Sequence, residues 1–259
     1  MNLSRTATLL GCATIAGAIV SLSCSTSSVG NSNATAARDP KASNSNAATS
    51  STSASPSVLE PERFFVNITA TLESKSAPAQ PFSFSFAKLG ADRRWSFQST
   101  QPPITYLEKS GLKYLVVETL GQYAEIMPGE AGFQPSDLMT PNLAWARFKS
   151  RPSEKLGAEP VNGRTAIKYS FRNANEADQK SEFLLVDQET GLVIRSELNP
   201  VRQTGASTGR LIVDARDLQL NPDSRQFDVP SGMKKVTAEQ LKPQIRSLVE
   251  ALRAYAVFY

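Results

Sequence analysis

Three Ser-x-x-Lys spacings are the first places where this chain could do chemistry: Ser85/Lys88, Ser110/Lys113 and Ser231/Lys234. A hydroxyl and an amine so spaced make a nucleophile and its base on a helix turn, where both side chains share a face. All three fall in runs that read as strand or loop, where residues three apart point to opposite faces. No Lys-Thr-Gly companion accompanies them. Carboxylate pairs are the next candidates. Asp214 and Asp217 face opposite ways on one predicted strand, and Asp187 and Glu189 are explained as turn residues. The chain has no histidine, and its two cysteines, Cys12 and Cys24, precede the folded region. That excludes His-dependent triads, thiol nucleophiles and the usual zinc sites. There is no P-loop, no GxGxxG after a strand and no GxSxG elbow. The reading is of a protein that is not an enzyme, with no catalytic residue, metal site or cofactor.

The elements that carry these residues are mostly strands. Phe64, Val66, Ile68, Ala70 and Leu72 alternate with Phe65, Asn67, Thr69 and Thr71, giving one strongly apolar face. Phe82, Phe84 and Phe86 share one side of a second strand, and Trp95 and Phe97 one side of a third. These five aromatics would line one side of a sheet and are the candidate ligand-binding residues. Ile104–Lys109 and Leu112–Glu118 flank Ser110-Gly111, a two-residue hairpin signal, and Tyr123–Met127 follows as a further strand. Between Ser136 and Lys149 the alternation stops, and Pro141 suits a helix's first turn, so one or two short helices are expected there. Near the C-terminus Thr237 and Gln240 stand at capping-box spacing, and Pro243 divides that turn from a second helix. Ile245, Leu248, Val249, Leu252 and Ala256 make the second helix's apolar face, opposite Arg246, Glu250 and Arg253. Packing across the sheet is the expected use of that face.

The rest of the chain is organised around Val161 to Val236, read as a meander of strands. Ile167, Tyr169 and Phe171 alternate with Ala166, Lys168 and Ser170, and Gln188-Glu189-Thr190-Gly191 separates two further β-rich runs. Gly191 supplies a positive φ, and Asp187 can hydrogen-bond forward to the turn's backbone. The order of an NGR segment, an aromatic strand, a VDQETGL turn and a long strand ending in FDVPSGMKKV resembles the LolA/LppX-like bacterial lipoprotein superfamily. That superfamily includes outer-membrane lipoprotein carriers and uncharacterised envelope lipoproteins. The resemblance implies an α+β fold: a curved antiparallel sheet forming an incomplete, half-open β-barrel covered by a few α-helices, the C-terminal one included. It also implies, for several members, acyl chains held in the gap.

The N-terminus fits an exported protein. One positive charge precedes a small, apolar stretch from Ala7 to Leu22, too short and too interrupted for a membrane span. Residues 1–23 are read as a signal peptide and Cys24 as the site of lipid attachment, because Ser21-Leu22-Ser23-Cys24 resembles a bacterial lipobox. Ser21 stands where that pattern prefers Leu, which leaves ordinary cleavage or retention of the leader as alternatives. Residues 24–58 are rich in Ser, Thr, Ala and Asn and read as a disordered tether with a reach of roughly 30 Å. Residues 59–259 suffice for one domain. The net charge is +4 and the basic residues are scattered, with Arg93-Arg94 and Lys234-Lys235 the only basic pairs in the folded region. Nucleic acid is therefore not an expected partner. The expected location is the cell envelope, at the outer membrane or the outer face of the cytoplasmic membrane, through an N-terminal lipid anchor. Two functions remain open: carriage of a lipid or of lipoprotein acyl chains in a cavity, and an interaction module with a filled core that meets an envelope protein partner.

Overall fold

The computed structural model describes residues 55–73, 78–171, 181–200 and 209–259. The leader, Cys24 and most of the tether lie outside the described residues. Six strands come first: β1 (Arg63–Glu73), β2 (Gln80–Leu89), β3 (Asp92–Phe97), β4 (Ile104–Lys109), β5 (Leu112–Val117) and β6 (Gln122–Glu125). An excursion through α1 (Leu143–Phe148) leads to β7 (Ser153–Val161), β8 (Arg164–Phe171), β9 (Glu182–Asp187), β10 (Val193–Leu198) and β11 (Arg210–Gln219). A two-residue β12 (Lys234–Lys235) and the helices α2 (Ala238–Leu241) and α3 (Arg246–Tyr255) end the chain.

All twelve strands belong to one sheet, in the order β12-β6-β5-β4-β3-β2-β1-β11-β10-β9-β8-β7. Two antiparallel meanders are thus joined where β1 pairs with β11, and only β12 runs parallel, beside β6. The sheet has two free ends and does not close into a barrel. Laid flat, twelve strands would span roughly 50 Å. Instead Leu115 and Ala124 near one edge, and Phe171 near the other, belong to the same apolar cluster as residues of all three helices. The sheet therefore curves around that cluster, and the helices cover its concave face. This is the incomplete antiparallel barrel with helical cover that the resemblance implied.

Period 2 in the sequence becomes one buried face. Phe64, Val66, Ile68 and Ala70 of β1 are each at most 1% exposed, while Asn67 between them is open. The β4–β5 hairpin closes on Ser110-Gly111 as its spacing predicts. The Gln188–Gly191 turn also forms as expected: Gly191 sits at φ 73°, and the Asp187 carboxylate accepts from the Thr190 amide at 2.9 Å. That glycine has a second role, because a Cβ there would come within 2.9 Å of the Leu59 side chain. The Leu59 backbone amide donates to the Gly191 carbonyl at 2.8 Å, and the Asn142 side-chain Nδ2 donates to the Leu59 carbonyl at 2.8 Å. The segment before β1 is thereby strapped across one end of the half-barrel. Pro56 and Val58, within the stretch read as tether, already pack against the domain.

Four features depart from, or were absent from, the reading of the sequence. Strand β7 has no apolar alternation to announce it, because it is an edge strand exposed over much of its length, with Gly157 at a bulge and Pro160 near its end. The outer face of β8 is not polar: Ala166 is fully buried and Ser170 is 4% exposed, because Phe183, Leu185 and Ile194 build a small apolar layer there. The Lys-Lys pair in the C-terminal tail is a strand, with the Lys235 amine donating to Glu125 at 2.8 Å. On α3 it is Tyr255, not Ala256, that completes the inward face after Leu248 and Leu252. The larger ring takes the buried position one residue earlier, and Ala256 already belongs to a 3-10 turn.

Candidate functional site

The aromatic face predicted from spacing is assembled as one wall. Phe86 of β2 is directly opposite Trp95 of β3, and Trp95 is opposite Tyr106 of β4. Directly opposed residues on antiparallel strands share a face, so their rings meet. A row of ring contacts crosses the strands: Phe64–Phe86 at 5.4 Å, Phe86–Trp95 at 4.9 Å, Trp95–Tyr106 at 5.5 Å and Tyr106–Phe133 at 5.6 Å. A second group joins Phe82, Phe84 and Phe97, with centroids 5.4–5.9 Å apart, and Phe82 stacks on Tyr255 of α3 at 5.8 Å. All five predicted residues are buried, Phe82 being the most exposed at 8%. Such separations are those of rings in contact.

Sequence reading missed Phe64, Tyr106, Phe133 and Tyr255 as members of the wall. Phe64 and Tyr106 lie on strands whose alternation was legible, so register with Phe86 and Trp95 was the missing information. Phe133 lies in a loop without periodicity and carried no signal.

Two segments cover the wall. The excursion after β6 crosses the Trp95 end, where the indole Nε1 donates to the Met139 carbonyl at 2.9 Å. The helix α3 crosses the Phe82 end, inserting Leu248, Leu252 and Tyr255 into the common cluster. The Tyr255 hydroxyl donates to the Ala70 carbonyl at 3.5 Å, at the outer limit of a hydrogen bond. Burial pushes the Tyr255 phenol above its ordinary pKa, so it stays a neutral donor. The base of α3 is firmer. Thr237 and Gln240 form the predicted capping box at the start of α2, and the chain then turns at residues 242–245 with Pro243 between the helices.

A polar corner holds the far end of the cover. Glu182 is 2% exposed and receives Arg147 of α1 at 2.6 Å and Arg151 at 2.7 Å. Arg147 also donates to the carbonyls of Asn199 and Phe258, at 2.8 and 2.7 Å. One guanidinium thus ties α1, the end of β10 and the turn after α3 together. Burial draws the Arg147 pKa down, partly offset by the charge of Glu182.

Several of the groups considered for chemistry are committed to other partners. Ser85 and Lys88 lie on β2 facing opposite ways, and Lys88 is committed to Glu60 at 3.0 Å. Asp214 pairs with Arg195, and Asp217 accepts from Asn67 at 2.9 Å. Asp187 and Glu189 both receive Arg164, at 2.8 and 2.7 Å. Among the described residues no group of three or more Cys, Asp or Glu could hold a metal ion, and no helix is long and apolar enough to cross a membrane.

No family profile and no curated protein matches the sequence. Solved structures do match. A LolA superfamily protein from Nitrosomonas europaea is 11% identical, with a TM-score of 0.33 over 69% of this chain and 94% of that one. LprF from Mycobacterium bovis is 12% identical, with a TM-score of 0.39 over 66% and 90%. The lipoprotein LppX from Mycobacterium tuberculosis is 8% identical, with a TM-score of 0.35 over 62% and 88%.

Proposed function

We propose that this chain is a lipid-anchored protein of the cell envelope, attached through Cys24, that carries a lipid or the acyl chains of a lipoprotein against the wall formed by Phe82, Phe84, Phe86, Trp95 and Phe97. The observation that carries this reading is what covers the Phe82 end of the wall. It is a single ten-residue helix, α3, whose described direct polar tie to the sheet is the long Tyr255–Ala70 bond. Leu248, Leu252 and Tyr255 offer the wall the same chemistry as an alkyl chain. Burial of each methylene contributes roughly 0.8 kcal/mol, so a chain of several methylenes competes with the helix for one surface. Exchange needs α3 to swing about residues 242–245, releasing the Arg147 hold on the Phe258 carbonyl, while α2 stays against β6. The anchor keeps the domain beside the membrane that supplies the ligand.

The close ring contacts favour a second reading, an interaction module with a filled core that meets an envelope protein partner and holds no lipid. Native mass spectrometry with organic extraction separates the two. The sample is the full chain carrying Cys24→Ser, purified without detergent and then exposed to membrane lipids. A reproducible lipid adduct is expected. A mass that stays bare overturns the carrier reading in favour of the interaction module.

A further inference from the structure

Beside α3 lies an open groove of about 590 Å³. Its floor is apolar, from Ala131, Ile245 and Val249, and its rim is formed by Lys242, Arg246 and Arg253. Glu250 is the single acid in the lining, so the groove carries three cations against one anion. Lys242 is paired with Glu239 on the helix surface. Arg246 and Arg253 are exposed, and among the described residues neither has a carboxylate partner. They are seven residues apart, two turns of one helix, or about 10 Å along its axis. Glu250 stands between them, four residues from Arg246 and three from Arg253, but neither guanidinium is paired with it, so both long side chains can turn to an anion in the groove.

The floor connects to the wall. Ala131 and Ile245 belong to the same apolar cluster as Phe82 and Trp95, and Phe133, two residues beyond Ala131, meets Tyr106 at the end of the ring row. Gly132 faces Val249 across the groove, where an added Cβ would lie 3.8 Å away. The groove therefore lies where the two covering segments, α3 and the excursion after β6, meet over the wall.

We propose that this groove receives the headgroup of an anionic phospholipid whose acyl chains pass beneath α3 onto the aromatic wall. The inference rests on the carrier reading and adds the ligand class: a negatively charged, glycerol-based lipid rather than a neutral or zwitterionic one. Two unpaired arginines supply the charge complementarity. The apolar floor supplies a surface that a small soluble anion would leave uncovered, which sets a lipid apart from free phosphate.

The test is calorimetric titration of the full chain carrying Cys24→Ser with three probes, each below its micelle concentration: dihexanoyl phosphatidylglycerol, dihexanoyl phosphatidylcholine and glycerol 3-phosphate. Phosphatidylglycerol should bind at least tenfold more tightly than phosphatidylcholine, about 1.4 kcal/mol. The double variant Arg246→Glu/Arg253→Glu should remove that preference while binding phosphatidylcholine as before. The exposed Lys149→Glu, with its charge change elsewhere, should leave the preference intact. Equal affinity for the two lipids, or a preference that survives the double variant, overturns the headgroup site and leaves the carrier reading standing. Glycerol 3-phosphate binding as tightly as phosphatidylglycerol overturns the lipid source. Binding of neither lipid overturns the carrier reading and the headgroup site with it.

Discussion

The wall on β1–β4 and the charged lattice on β8–β11 are parts of one sheet held together by opposite means. On the wall, ring touches ring with no direction beyond contact, and the polar ties are few: Trp95 and Tyr255 donate to backbone carbonyls, and the Tyr106 hydroxyl donates to Glu108 at 3.0 Å. On the lattice, Arg195 lies between Glu197 at 3.0 Å and Asp214 at 3.2 Å, and Glu197 also receives Arg210 at 2.6 Å. The charged ends of Arg210 and Lys168 lie over the Phe183 ring, 5.5 and 4.8 Å from its centroid. Apolar contact is non-directional, so another apolar partner can replace it. These ion pairs are half-buried, and they exchange partners less readily, because separating their members leaves each charge only partly reached by water. The wall is thus the part of the molecule able to trade its cover for a ligand, and the lattice is the frame that stays.

The sharpest way to break this contrast is to remove a ring. Phe84 is 3% exposed and touches Phe82 and Phe97. Phe84→Ala should cost about 3–5 kcal/mol in urea unfolding of the ligand-free protein, the cost of a cavity in a packed core. A loss under about 1 kcal/mol would mean that the ring lines open space in solution and that the wall is not closed by α3.

Removing one charge tests the frame. Glu182→Gln keeps the shape but leaves Arg147 and Arg151 facing each other without their anion, and Arg151 already has one buried nitrogen, Nη2, without a partner. A destabilisation of about 3 kcal/mol is expected in the same measurement, most of it from the two uncompensated guanidinium groups. The variant should also loosen the hold of Arg147 on the Phe258 carbonyl. Faster amide exchange is therefore expected at the C-terminal end of α3, with little change in β1–β4. Uniform loosening of the whole sheet would show that wall and frame are not separable.

This division was only half legible in the sequence. Alternation placed Phe82, Phe84, Phe86, Trp95 and Phe97 on one face because period 2 is a local property, and the VDQETG turn was readable because Asp187, Thr190 and Gly191 interact within four residues. The capping box at Thr237 was legible for the same reason. The lattice was not: Arg147 and Glu182 are 35 positions apart, and Arg195 meets Asp214 through strand register. Nor could composition show that Leu59 would lie against Gly191. Burial of Ala166 and Ser170 was hidden because the layer beside them is built from Phe183, Leu185 and Ile194 on neighbouring strands, which only register brings there. Sequence patterns report which residues share a face, whereas what lies on that face is settled by pairings across the chain.

The smallest effect comes from a charge pair that belongs to a turn rather than to the frame. Asp187 is 2% exposed. Burial alone would raise its pKa, but hydrogen bonds from Arg164, from the Thr190 hydroxyl and from the Thr190 amide, with the Arg164 charge, more than offset this and hold it below the ordinary carboxylate value. A depressed pKa in the folded state means that the stabilisation is fully present above the unfolded value, near 3.9, and is lost as pH falls through the folded value. Unfolding free energies measured at pH 7 and pH 5 should therefore show no contribution from Asp187 to the difference, with the loss appearing only below about pH 4. Asp187→Asn should cost about 2 kcal/mol at pH 7, the worth of a charge-assisted hydrogen bond, and should flatten the acid limb of the curve. If the variant and the parent lose stability in parallel below pH 4, other carboxylates set the acid limb. The turn would then be held by Gly191 and the Leu59 strap rather than by the Arg164 pair.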